Sequence, residues 1–157
     1  MGTARRDHIG MIVLAMLPLL AGGCAVSEQA VTLKDPSEFQ AVALGAQVPA
    51  LVMFYKDGCE TCEEMEPMID SLATQYKGRA VVARLMVINL VRARPWPEIN
   101  AKYDITLVPT VVLFVGGQEK QRWVAEFDKG RYKEALDKYV RSATPPAREA
   151  GGPPKGY

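Results

Sequence analysis

Three apolar runs punctuate the chain: Ala50 to Tyr55 (A-L-V-M-F-Y), Ala80 to Ile88 and Thr110 to Val115. Runs this short and this continuous read as strands buried on both faces, as in a parallel or mixed sheet. From Cys59 to Tyr76 the pattern changes to helical spacing, with Met65, Met68, Ile69, Leu72, Ala73 and Tyr76 on one face. Pro67 interrupts that helix and predicts a kink. Pro97 to Tyr103 reads as a short helix, and Arg131 to Val140 as a closing amphipathic one. Gly116-Gly117 folds the third strand into a hairpin with Glu119 to Val124. Upstream, Val31-Thr32-Leu33 is a short strand. Asp35-Pro36-Ser37-Glu38 then opens a helix, with Asp35 as N-cap, Pro36 at the first helical position and Glu38 closing a capping box. That helix is expected to reach about Leu44 and stop at Gly45. The order is β-α-β-α-β-α-β-β-α, an α/β domain over residues 31–141, with no internal repeat. Residues 24–30 form a polar tether, and residues 142–157, rich in Pro, Gly and Ala, read as a disordered tail.

The first residues follow a different logic. Arg5 and Arg6 precede 13 apolar residues, Ile9 to Ala21, and then A-G-G-C ending at Cys24. The run is short for a membrane span, which needs about 20 residues, and fits the h-region of a secretory signal. L-A-G-G-C resembles a bacterial lipobox, which makes residues 1–23 a signal peptide and Cys24 a lipidated N-terminus. Ala21 departs from the leucine usual there. Ordinary signal cleavage before Cys24 and a retained anchor are the competing readings. A multi-chain lipid modification gives stable anchoring, so the chain is expected on the periplasmic side of a bacterial membrane.

Cleavage before Cys24 removes His8, the only histidine, and with it Ser-His-Asp, Cys-His and His-ligated metal chemistry. It also removes Arg5, Arg6 and Asp7 from 19 basic and 18 acidic residues, which leaves the charges balanced. Composition therefore offers no field to steer a charged partner, and no nucleic acid is expected.

The segment D-G-C-E-T-C, Asp57 to Cys62, sets two cysteines at i and i+3 where a helix begins. A redox pair, half of a metal site and two buried thiols all fit that spacing. Zinc wants about four ligands, and with two unmodified cysteines and no histidine it would need two chains or carboxylates. Two structural thiols in an exported protein would tend to oxidise.

The wider pattern narrows the choice. The cysteine pair is followed five residues later by Pro67, then by M-I-D-S-L-A from Met68 to Ala73. Val108-Pro109-Thr110 precedes a strand, and L-F-V-G-G from Leu113 to Gly117 ends it. In this order, from about Val31 to Arg141, the chain resembles the thioredoxin superfamily. The resemblance implies a thioredoxin fold, a central mixed sheet of four to five strands flanked by helices. It also implies a redox-active Cys59–Cys62 disulfide, with Cys59 attacking and Cys62 resolving, and no other cofactor or metal. Chemistry supports that assignment: the nucleophile in exchange is the thiolate, and a helix N-terminus stabilises it. Val108-Pro109 resembles the family's cis-proline motif, so the bond is expected to be cis, with Val108 pairing to an extended substrate segment. A copper chaperone of this fold would show C-x-x-x-C and a distal histidine, and a related peroxidase a threonine-bearing motif before a single cysteine. Neither pattern is present.

Departures from the family bear on rate and substrate range. Gly58 replaces its tryptophan, and Glu60-Thr61 replaces the intervening Gly-Pro, which makes Glu60 and Thr61 the redox-tuning positions. Met53 stands where thioredoxin has a buried aspartate that helps move a proton, and Arg84 falls near its buried lysine. Ala125 replaces a glycine beside the groove. Trp96, in an insertion, is expected to pack over the sheet edge. The function expected is a periplasmic, membrane-tethered thiol–disulfide oxidoreductase, monomeric, acting in the reducing direction on client disulfides or thiols and supplied by a membrane electron donor. The alternative is a non-catalytic peptide-binding module or redox-linked chaperone of the same fold.

Overall fold

The computed structural model describes residues 29–89 and 95–143. The expected signal segment, Cys24 and nearly all of the expected tail lie outside them. Five strands form one sheet: β1 (Val31–Leu33), β2 (Ala50–Lys56), β3 (Val81–Ile88), β4 (Thr110–Val115) and β5 (Gln118–Val124). Their spatial order is β1-β3-β2-β4-β5. β1, β3 and β2 run parallel, while β4 is antiparallel to β2 and β5 to β4. The helices are α1 (Pro36–Phe39), α2 (Glu60–Gln75), α3 (Pro97–Lys102) and α4 (Lys129–Ala143).

Because side chains alternate across a strand, the central strand β2 feeds two cores. Leu51 and Met53 join Met65, Ile69 and Leu72 of α2 and Tyr132, Leu136 and Val140 of α4 on one face. Val52 and Phe54 join Phe39, Ala43, Ile99 and Phe114 on the other. This is why the run Ala50 to Tyr55 carries no polar position: both of its faces are covered. The packing on the second face is largely aromatic. Phe39 meets Phe54, Phe114 and Tyr103 at ring-centroid distances of 5.8, 5.7 and 5.3 Å.

Local signals are obeyed closely at helix starts. Asp35 Oδ1 accepts the N–H groups of Ser37 and Glu38 at 2.8 and 3.0 Å. The Ser37 hydroxyl donates to the same oxygen, and together these bonds hold the Asp35 carboxyl below the usual range. The capping box differs in its partner: Glu38 Oε2 accepts from the N–H of Lys34, one residue before the N-cap. α1 also does not reach Leu44 as an α-helix. Residues Gln40–Leu44 widen into a π turn, closed by Gly45 N–H donating to Gln40 O at 2.9 Å. α2 runs continuously through Pro67. Gly116 and Gly117 have φ of 57° and 75°, the left-handed pair that a two-residue hairpin turn requires. Ala30, at the end of the expected tether, is already buried, and its N–H donates to Asp70 Oδ1 at 2.9 Å.

Candidate functional site

The site lies where β2 ends and α2 begins. Gly58 turns the chain there with φ of 64°, a left-handed conformation that glycine adopts without a Cβ penalty. Cys59 is the N-cap of α2, with φ of −101°, and its Sγ accepts the N–H of Cys62 at 3.3 Å. The same sulfur lies 3.3 Å from the Thr61 hydroxyl. Cys59 and Cys62 are joined as a disulfide, with 5.2 Å between their Cα atoms. Cys62 is 1% exposed and Cys59 5%, so an attacking thiolate has its approach, narrow as it is, from the Cys59 side. The N–H of Cys62, already on this sulfur, and the positive end of the helix favour the Cys59 thiolate once the disulfide opens. Glu60 and Thr61 are both exposed.

The second wall is the segment ahead of β4. The Val108–Pro109 peptide bond is cis. Pro109 is buried, and Val108 is half-buried and packs against both cores, one of which contains Cys59 and Cys62. Pro109 O accepts the N–H of Ala125 at 2.9 Å, which fixes the strand end of β5 beside the proline. Leu107, Val124 and Phe127, 63%, 47% and 47% exposed, present apolar surface from the same two strand ends.

Two features of this region escaped the sequence reading. The first is the backbone at Ala125, with φ of 46°. A left-handed conformation costs an L-residue with a Cβ about 1–2 kcal/mol. Ala125→Gly is therefore expected to stabilise the fold by roughly 1 kcal/mol, with thermal unfolding rising by roughly 2–4 °C. An unchanged or lowered midpoint in calorimetry would contradict the strain.

The second is an ion cluster. Arg84, in the apolar run of β3, lies in register with Met53 of β2. Its side chain is 10% exposed, and the guanidinium meets Glu66 Oε2 at 3.0 Å and Asp70 Oδ1 at 3.1 Å, both from α2. The signal was present in the sequence: a charge inside V-V-A-R-L-M-V-I needs a partner, and Glu66 and Asp70 are spaced by four on the helix packed over it. Beside this cluster Tyr55 is half-buried, and burial pushes its phenol up. Trp96 is half-buried; with Leu33, Tyr55 and Met86 it lines a cavity of about 550 Å³ at the carboxyl ends of the parallel strands. Among the described residues no group of three or more His, Cys, Asp or Glu side chains is placed to hold a metal ion.

Comparison with known proteins agrees with this geometry. The thioredoxin family model matches residues 30–142. The chain is 29% identical over 119 residues to the chloroplastic thioredoxin M5 of Oryza sativa subsp. japonica, covering 76% of this chain and 66% of that protein. It is 30% identical over 104 residues to thioredoxin 1 of Nostoc sp., covering 66% of this chain and 92% of that one. Among solved structures, a mutant thioredoxin from Halobacterium salinarum superposes with a TM-score of 0.59 at 25% identity, over 75% of this chain and 96% of the other. With its disulfide at the head of α2, in one core with a cis-proline segment, the chain belongs to the thioredoxin family of thiol–disulfide oxidoreductases.

Proposed function

We propose that this protein reduces client protein disulfides from the periplasmic face of a bacterial membrane, held there by lipid on Cys24. The observation that carries the chemistry is the Cys59–Cys62 disulfide with Cys59 as helix N-cap, its sulfur on the Cys62 N–H. The direction follows from charge. Glu60, Glu63 and Glu64 are exposed around the first turns of α2, with no cation between the cysteines. They repel a thiolate. Glu66 counts for less than its position in the sequence implies, because Arg84 pairs with it. Lys56, at the end of β2, offsets part of the remainder. A less stabilised thiolate makes the dithiol a better electron donor. The couple is expected nearer to about −270 mV than to about −120 mV.

Two measurements test this reading. The protein should reduce insulin in the presence of dithiothreitol, and no acceleration over dithiothreitol alone would leave the peptide-binding module. Equilibration against glutathione gives the potential. Glu60→His places a cation next to the thiolate and should raise the potential by tens of millivolts, about 30 mV being worth 1.4 kcal/mol. A wild-type potential above about −180 mV, that of protein disulfide isomerase, would contradict the reducing direction.

A reducing couple in an oxidising compartment has to be recharged, which calls for a membrane electron donor; the exchange chemistry itself uses only the two cysteines. The tether is tested separately. Mass spectrometry of membrane-fraction protein should find Cys24 lipid-modified at the mature N-terminus, and an unmodified Cys24 there would exclude the anchor.

A further inference from the structure

We propose that Glu66 relays the proton of the Cys62 thiol during the resolving step, with Arg84 positioning it. The inference rests on the dithiol–disulfide reading above and assigns a residue that the cysteine pair alone does not. Cys62 is 1% exposed, so bulk water does not serve its thiol directly. Met53, packed in the same buried cluster as both cysteines, provides no proton acceptor. Of the acidic residues at the start of α2, Glu60, Glu63 and Glu64 are exposed, whereas Glu66 is drawn to the sheet by Arg84. Glu66 follows Cys62 by four residues, which puts it one turn along the same helix face, with Cβ atoms about 5–6 Å apart. The guanidinium that holds it belongs to a residue in register with Met53 on the neighbouring strand. Arg84 is itself fixed from the other side by Asp70, whose Oδ1 also takes the Ala30 N–H. The Glu66 side chain is 39% exposed, so it can pass a proton to water while staying anchored. The charged and titratable groups around it are Arg84 from β3, Asp70 from α2 and the Tyr55 phenol of β2, with Asp57 beyond Tyr55.

The Cys59 thiolate attacks a client disulfide, forming the mixed Cys59–client bond and releasing one client thiolate. Cys62 then gives its proton to the Glu66 carboxylate, and the resulting thiolate attacks Cys59 Sγ. The mixed bond breaks, the client's second sulfur leaves as thiolate, and the Cys59–Cys62 bond forms. The client is reduced by two electrons and the protein's dithiol oxidised. Glu66 returns its proton to water or to the departing thiolate.

The test is stopped-flow measurement of mixed-disulfide resolution between pH 6 and pH 9, with a disulfide-bonded peptide as client, on wild type, Glu66→Gln and Glu66→Asp. Thermal unfolding of each checks the fold, and the amide of Glu66→Gln still offers Arg84 an acceptor. Glu66→Gln should slow resolution near pH 7 by roughly a hundredfold and make its rate rise tenfold per pH unit. Attack by Cys59, read from its alkylation rate, should change far less. Glu66→Asp should restore a large part of the rate. Resolution by Glu66→Gln at the wild-type rate and pH profile would overturn the relay. So would a loss that Glu66→Asp does not repair and that leaves the pH profile unchanged, which marks a structural ion pair. If the wild type forms no mixed disulfide, the dithiol reading falls together with the relay.

Discussion

Cys62→Ser should accumulate client proteins covalently bound through Cys59, while insulin reduction falls to the level of dithiothreitol alone. The expectation follows from how the two sulfurs are placed. Cys59 ends the loop at the head of α2, where the first-turn N–H groups favour its thiolate and where the small exposed fraction of the pair is found. Cys62 lies inside the helix, buried, with its sulfur bonded to that of Cys59. Removing Cys62 therefore leaves attack intact and deletes the route by which the mixed disulfide resolves. Serine at Cys62 keeps nearly the same volume, so the packing of Met65 and Ile69 on the next turns is retained. Cys59→Ser should yield neither adducts nor turnover. Non-reducing electrophoresis followed by mass spectrometry reads both variants. Adducts forming through Cys62 in the Cys59→Ser protein would reverse the assignment of the two roles.

Phe39→Ala should destabilise the fold by about 3–5 kcal/mol, the usual range for deleting a buried aromatic. Phe39 is 1% exposed, and its ring touches Phe54 of β2, Phe114 of β4 and Tyr103 after α3, so one side chain ties three parts of the chain together. The hole left by alanine is walled by strand residues that cannot close over it, since β2 and β4 are pinned by their ladder. In urea, where a protein of this size loses about 1–3 kcal/mol per molar, the midpoint should drop by roughly 2 M with little change in slope. The cysteines belong to the core on the opposite face of β2, so their alkylation below the unfolding transition should match wild type. A midpoint within a few tenths molar of wild type would mean that the second core is not packed as described.

Much of this architecture is written locally. The three apolar runs became β2, β3 and β4 because a strand covered on both faces has no position where a polar side chain reaches water. The cysteine pair fell at the head of α2 because Gly58 turns the chain after the strand and the helical spacing starts directly after it. The glycine pair after Val115 fixed the hairpin through its φ requirement alone. These are properties of single residues and of their neighbours within a turn.

Other features depend on which distant residues meet. Arg84 reads locally as an anomaly in a buried strand. It became half of a cluster only when α2 was laid across β3, which brought Glu66 and Asp70 over it. The π turn at Gln40–Leu44 accompanies the burial of Phe39 and Ala43 against the sheet and the approach of the hairpin, where a Cβ on Gly117 would come within 3.0 Å of Leu44 O. Ala125 takes a left-handed backbone, against its own preference, in a segment whose N–H is tied to Pro109 O across the ladder. The sequence alone determined the strands, the helix starts and the place of the two cysteines, because propensity, capping and turn chemistry act within a few residues. Only the tertiary structure decided where the carboxylates point and which backbone is strained, because desolvation, ion pairing and close packing act between residues far apart in the chain.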